Sequence, residues 1–103
     1  MADFIIEFGV AGAPGDYGGM PVMPCSATVE IVSNPTTATE ATTTGDGRST
    51  VTITAKGGDG WVEFGAAPTV EIDTAPAIFL PQNLPRSFGP LPKGWVMDFI
   101  NDS

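Results

Sequence analysis

Histidine is absent from this chain, and cysteine occurs once, at Cys25. Without histidine no side chain titrates near neutrality unperturbed, so proton transfer there would need a shifted carboxylate or lysine. A Cys–His nucleophile cannot exist within the chain, nor can a zinc site built from cysteine and histidine clusters. One cysteine cannot close an intrachain disulfide. Secreted domains of this size often carry several, so the count points to synthesis in a reducing compartment. Basic residues are also scarce: Lys and Arg total 4 against 12 Asp and Glu, a formal charge of −8. Phosphate binding relies on cationic neutralisation, so neither nucleic acid nor an anionic membrane is an expected partner. The same charge favours solubility and steers the chain toward a basic protein surface. Long apolar runs are missing as well. The opening MADFIIEFGV carries Asp3 and Glu7 and no basic residue, which fits neither a signal peptide nor a membrane span. No segment holds a 3.6-residue period over a helical length.

What is present is the chemistry of turns and short strands. The chain has 103 residues, of which 42% are hydrophobic, with 13 glycines and 10 prolines. That length fits one domain with a modest core. In DFIIEFGV, Phe4, Ile6, Phe8 and Val10 alternate with Ile5 and Glu7, the period of a strand. Residues 11–24, AGAPGDYGGMPVMP, read as a glycine- and proline-rich excursion or arm whose Met20, Val22 and Met23 are too apolar for a purely solvated linker. ATVEIVS reads as a strand with Val29 and Ile31 inward and Thr28 and Glu30 outward. The threonine-rich stretch from Asn34 to Ser49 suits an edge strand or an exposed loop and ends in an Asp46-Gly47 turn. STVTITA and WVEFG flank KGGDG and predict a hairpin. TVEID, AIFL, the RSFG around Phe88 and the closing WVMDFI supply further short strands. In the closing strand Trp95, Met97 and Phe99 share one face and Asp98 takes the other. The expected fold is all-β: a single small β-sandwich or jelly-roll-like barrel of about seven or eight short strands with an N-terminal extended arm. Residues 1–24 form the strand and arm, and 25–103 form the sandwich of one compact domain.

The constellations that invite a chemical reading have simpler ones. Glu71 and Asp73 share a strand face two residues apart, yet no partner positions them as an acid–base pair, and solvated positions opposite Val70 and Ile72 account for them. The GDG triplets at 45–47 and 58–60 bring single carboxylates on turns, without the alternating ligands of a calcium loop. GDYGG at 15–19 lacks the lysine and helix start of a phosphate cradle. No catalytic residue, metal ligand or cofactor is expected. From Trp61 onward, however, large apolar residues stand between Pro68, Pro76, Pro81, Pro85, Pro90 and Pro92. Each proline fixes φ and biases the residue before it toward extended backbone, so the strip loses little entropy on docking. Interfaces favour aromatics, Met and Arg, and Arg86 is the sole arginine of the second half.

The order of these features resembles a group of small virion accessory proteins of tailed bacteriophages. In them a Thr- and Ala-rich first half precedes a G-x-W-V-x-F-G-x-x-P-T motif, then an F/L-L-P segment and a closing strand after a glycine. The corresponding pieces here are Gly60-Trp61-Val62-Glu63-Phe64-Gly65, with Gly60 directly before Trp61 where the pattern has one residue between, then Pro68-Thr69-Val70, Phe79-Leu80-Pro81, Pro85 and Gly94-Trp95-Val96, within residues 27–100. The N-terminal DFIIEFGVAGAPGDYGGMPVMP has no counterpart in that pattern. The resemblance implies a non-enzymatic capsid decoration (cement) protein, a β-sandwich made in the host cytoplasm that binds the outer surface of the major capsid protein shell. It also implies self-association, with a homotrimer ahead of a homodimer. A neck, tail or fibre-base accessory protein of the same particle is the alternative, and a carbohydrate- or receptor-binding module with Trp61 or Trp95 as a stacking platform is another. Expected partner contacts are Phe4, Phe8, Met20, Met23, Leu84, Arg86 and Phe88.

Overall fold

The computed structural model describes residues 2–10 and 28–102. Among them stand eight strands and no helix: β1 (Asp3–Val10), β2 (Thr28–Ser33), β3 (Thr39–Glu40), β4 (Ser49–Lys56), β5 (Gly60–Gly65), β6 (Ile78–Leu80), β7 (Arg86–Phe88) and β8 (Val96–Asn101). They form two antiparallel sheets, ordered β2-β1-β4-β7 and β3-β8-β5-β6. The all-β sandwich expected from the sequence is therefore the observed architecture.

Alternation along the strands decides which faces meet. Phe4, Ile6 and Phe8 of β1 are buried, as are Val51, Ile53 and Ala55 of β4. Across the gap, Val62, Leu80, Met97 and Phe99 project from the second sheet, and all are completely or almost completely buried. The Phe4 and Phe99 rings meet between the sheets with centroids 4.9 Å apart. β1 is no free arm. It lies between β2 and β4, paired from Asp3↔Ser33 to Phe8↔Thr28 on one side and from Asp3↔Lys56 to Val10↔Ser49 on the other. Residues 3–10 thus belong to the sandwich itself, and the division at residue 24 does not follow the sheet. The arm reading of residues 11–24, with Met20 and Met23, lies outside the described residues, as does Cys25.

Three expected details are corrected. KGGDG does not join a hairpin: β4 pairs with β1 and β7, β5 with β6 and β8, and the turn arches from one sheet to the other. The inward residues of both strands face each other across the core instead of lying side by side. β2 carries the opposite phase: Val32 is buried, while Val29 and Ile31 are 61% and 59% exposed. Glu30 points inward beside Ile6, and its carboxylate accepts hydrogen bonds from the Thr42 and Thr43 amides (2.6 and 3.1 Å) and from the Thr43 hydroxyl (2.7 Å). TVEID forms a loop rather than a strand. Val70 is buried, Ile72 is exposed, and the loop folds over the outer face of the second sheet. There the Val70 amide donates to the buried Asp98 carboxylate (2.9 Å) and the Thr69 amide to Glu63 (3.2 Å).

Polar clasps close the margins of the sandwich. Glu30 ties β2 to the loop after β3. On the opposite margin the Arg86 guanidinium donates to the Phe79 carbonyl (3.0 Å), linking β7 to β6 across the two sheets. At one end the buried Asn101 side chain accepts from the Ala2 amide (2.7 Å) and donates to Asn34 Oδ1 (2.6 Å), so the start of β1 and the end of β8 are joined.

Candidate partner-binding cleft

The Pro90–Trp95 segment is held by backbone bonds to the Gly45–Ser49 turn. The Leu91 amide donates to the Ser49 carbonyl (2.8 Å), and the Leu91 carbonyl accepts from the Gly47 amide (2.8 Å). The Gly45 amide donates to the Trp95 carbonyl (2.6 Å), and the Gly94 amide returns a bond to the Gly45 carbonyl (3.0 Å). This approach needs a glycine at 45, because a Cβ there would collide with the Pro92 carbonyl and the Leu91 side chain. Asp46 stabilises the other side of the turn: its carboxylate accepts from the Arg48 and Ser49 amides and the Ser49 hydroxyl, and these bonds hold its carboxyl below the usual aspartate range. Gly47 supplies the positive φ of 80° that completes it.

This clipped segment frames an open apolar cleft of about 320 Å³, walled by Phe64 of β5, Phe88 of β7, the run Gly89–Pro92 and Trp95. The Phe64 and Phe88 rings meet with centroids 4.9 Å apart and planes at 55°. Above Phe88 lies the Arg86 guanidinium, 5.7 Å from the ring centroid, near enough for a cation–π contact. Trp95, placed by sequence on the core face of the closing strand, instead precedes β8 and stays 39% exposed at the cleft rim. The floor is Leu91, buried and unable to move without breaking two backbone bonds. Nothing lies within 4 Å of where a Gly89 side chain would begin, so that wall opens to solvent.

The expected contact residues divide sharply. Phe88 walls the cleft, Arg86 covers the Phe88 ring, and Leu84 is 51% exposed but stands outside the lining. Phe4 and Phe8 are corrected to core positions: their place on the inward face of a central strand leaves 0% and 6% of each exposed. Met20 and Met23 lie outside the described residues. Phe64, Leu91 and Trp95 stand outside the expected shell contacts; all three belong to the proline-spaced stretch from Trp61 onward, and Trp95 enters only as a stacking platform in the carbohydrate-binding alternative. A second aromatic pair, Trp61 and Phe79, sits on the outer face of the β3-β8-β5-β6 sheet with centroids 5.1 Å apart, and the Trp61 indole donates to Asp102 (2.6 Å). Among the described residues no three acidic or thiol side chains converge as a metal-ligand set, and no helix is long and apolar enough to cross a membrane.

No family model, curated protein or solved structure matches this chain.

Proposed function

We propose that this chain is a non-enzymatic adhesive protein of a virion, a capsid decoration (cement) protein that docks on the outside of a shell of major capsid protein. The observation that carries this reading is the rigid apolar cleft between Phe64, Phe88, Leu91 and Trp95. Its wall is fixed before any partner arrives, by Pro90 and Pro92 and by the bonds to Gly45, Gly47 and Ser49, so little ordering entropy is lost on docking. The composition adds to this: strongly acidic, without histidine, and similar in feature order to phage accessory proteins.

Magnitudes favour attachment through many copies. A cleft this size receives one aliphatic or aromatic side chain, whose burial contributes about 1.5–3 kcal/mol. A dissociation constant of 1 mM already corresponds to about 4 kcal/mol, so one cleft alone holds nothing firmly. Repetition over a lattice, with oligomeric subunits each bridging neighbouring capsid proteins, converts such weak contacts into tight occupancy. The acidic surface assists against basic shell patches and weakens at high salt.

Co-sedimentation with undecorated shells at low and high salt tests this reading. Gly89→Arg is the informative variant, since Gly89 lines the cleft and a side chain there meets open space. Wild type is expected to bind, more weakly as salt rises, and Gly89→Arg to fold normally but lose occupancy. Failure of wild type to bind shells at any salt concentration refutes the decoration reading. Undiminished binding by Gly89→Arg removes the cleft from it. Saturable quenching of Trp95 fluorescence by glycans, without shell binding, would place the protein among carbohydrate-binding modules.

A further inference from the structure

β2 is the outermost strand of its sheet, and alternate N–H and C=O groups along it point away from β1. Natural edge strands are guarded by a lysine, a proline, a bulge or an inward-pointing charge. The sequence TVEIVS contains no lysine or proline, the ladder to β1 runs unbroken from Asp3↔Ser33 to Phe8↔Thr28, and the one inward charge, Glu30, is taken up by hydrogen bonds from Thr42 and Thr43. The outward face is apolar too. Val29 and Ile31 are among the most exposed large hydrophobic residues described, and Ile31 lies directly beside Ile5 of β1. Among the described residues, no backbone hydrogen bond outside the strand ladders involves β2.

We infer that this edge is a self-association site: two copies pair antiparallel along β2 about a two-fold axis through Ile31, fusing their sheets into one. Register follows from the faces and the charges. Opposed residues in an antiparallel pair share a face, so the axis must pass through a residue for both buried faces to remain on one side. An axis at Val29 or Val32 matches only short parts of the strand. An axis at Glu30 sets two carboxylates opposite each other, which is destabilising. An axis at Ile31 sets Ile31 against its own copy, Val29 against Ser33 and Glu30 against Val32. The outer surface then carries an unbroken row of Ile5, Ile31, and the same two residues of the second copy. Electrostatics permit this despite the net charge of −8. The sole charge on β2 is the Glu30 carboxylate; in this register its copy lies diagonally opposite on the inward face, roughly 8 Å away between backbones, and each is hydrogen-bonded by its own Thr42 and Thr43. The nearest outward carboxylates are on β1, where Asp3 of one copy stands opposite Glu7 of the other across three strand spacings, roughly 14 Å. That exceeds the screening length of about 8 Å at physiological salt. An isologous contact of this kind closes at two copies. It stands independently of the cleft.

Sedimentation of the full chain over a concentration series, with Ile31→Lys beside wild type, tests the inference. Wild type is expected to sediment as a dimer, and Ile31→Lys to dissociate with self-association weakened roughly tenfold or more. Register is read by cross-linking in a Cys25→Ser background. Ile31→Cys should oxidise to a covalent dimer. Ser33→Cys alone should not, because its two copies lie roughly 13 Å apart along the strands, but mixed with Val29→Cys it should. The inference is overturned by a wild type that stays monomeric, by a trimer, or by a dimer indifferent to Ile31→Lys. Efficient cross-linking through Ser33→Cys alone overturns the register. Amides on the outer edge of β2 that resist exchange equally in dilute and concentrated samples would show that the chain itself fills this edge, and would also refute it.

Discussion

Truncating Phe4 separates two roles for the first strand. As a surface contact, Phe4→Ala would lower binding and leave folding untouched. The structure gives the opposite expectation. Phe4 is 0% exposed, its ring lies 4.9 Å from that of Phe99 in the facing sheet, and the backbone of Gly60 passes so close that a Cβ there would strike the ring. A site enclosed by β1, β5 and β8 cannot collapse to fill the void, so the loss should sit within the usual range for Phe→Ala in a core, about 3–5 kcal/mol. A domain of this length has a total stability of about 5–15 kcal/mol, so the loss takes at least about a fifth of it. The corresponding fall in melting temperature is roughly 12–25 °C. Urea and thermal unfolding followed by tryptophan fluorescence measure it, with Leu84→Ala as the reference. Leu84 is 51% exposed, and its truncation should cost no more than about 0.5 kcal/mol. If Phe4→Ala unfolds at the same midpoint as Leu84→Ala, the assignment of β1 to the core is wrong.

Gly60→Ala probes the same contact from the other side. The added methyl presses on the Phe4 ring and should destabilise by about 1–3 kcal/mol in urea unfolding, with Phe4→Leu partly relieving it. Thr50→Val should act in the stabilising direction. Thr50 is 5% exposed, its hydroxyl finds no hydrogen-bond partner among the described residues, and removing it should raise stability by about 1 kcal/mol. For Glu30, partial burial raises the carboxyl pKa, but the hydrogen bonds from Thr42 and Thr43 together outweigh that and hold it below the ordinary glutamate value. A carboxyl depressed in the folded state stabilises above its unfolded pKa, and that stabilisation is lost as pH falls through the folded pKa. Glu30→Gln should therefore melt below wild type at neutral pH, and the gap should close once the medium is more acidic than the usual carboxylate range. A gap that persists unchanged in acid would refute the linkage.

The parts of this fold that were legible in the sequence are those where one face is fully buried. β1 and β4 alternate without ambiguity because both lie inside the first sheet, and the closing strand shows Met97 and Phe99 for the same reason. Phase failed at the edge. In TVEIVS, Ile31 and Val32 are adjacent, so either face can be read as apolar, and the choice turns on what receives Glu30. The receivers are Thr42 and Thr43, twelve and thirteen residues away, and no local pattern announces them. Assuming that a charge points to solvent gave the wrong phase. The KGGDG turn failed for a different reason: glycine-rich turns permit both a hairpin and an arch, and only the pairing of β4 with β1 decides between them.

The cleft was half legible for a related reason. Proline spacing marks the stretch from Trp61 onward as stiff, and Phe88 and Arg86 do stand at the cleft. Trp95 was read with the core face of its neighbours, yet its own carbonyl is bound to the Gly45 amide from the threonine-rich stretch that looked like bare loop. That contact spans fifty residues and depends on a missing side chain at Gly45, so it leaves no periodic trace. Sequence pattern thus reports what a strand does to its own side chains. Where two distant turns clip together to leave an apolar gap between them, the gap is a property of neither turn alone, and a site made that way becomes visible only once the chain is folded.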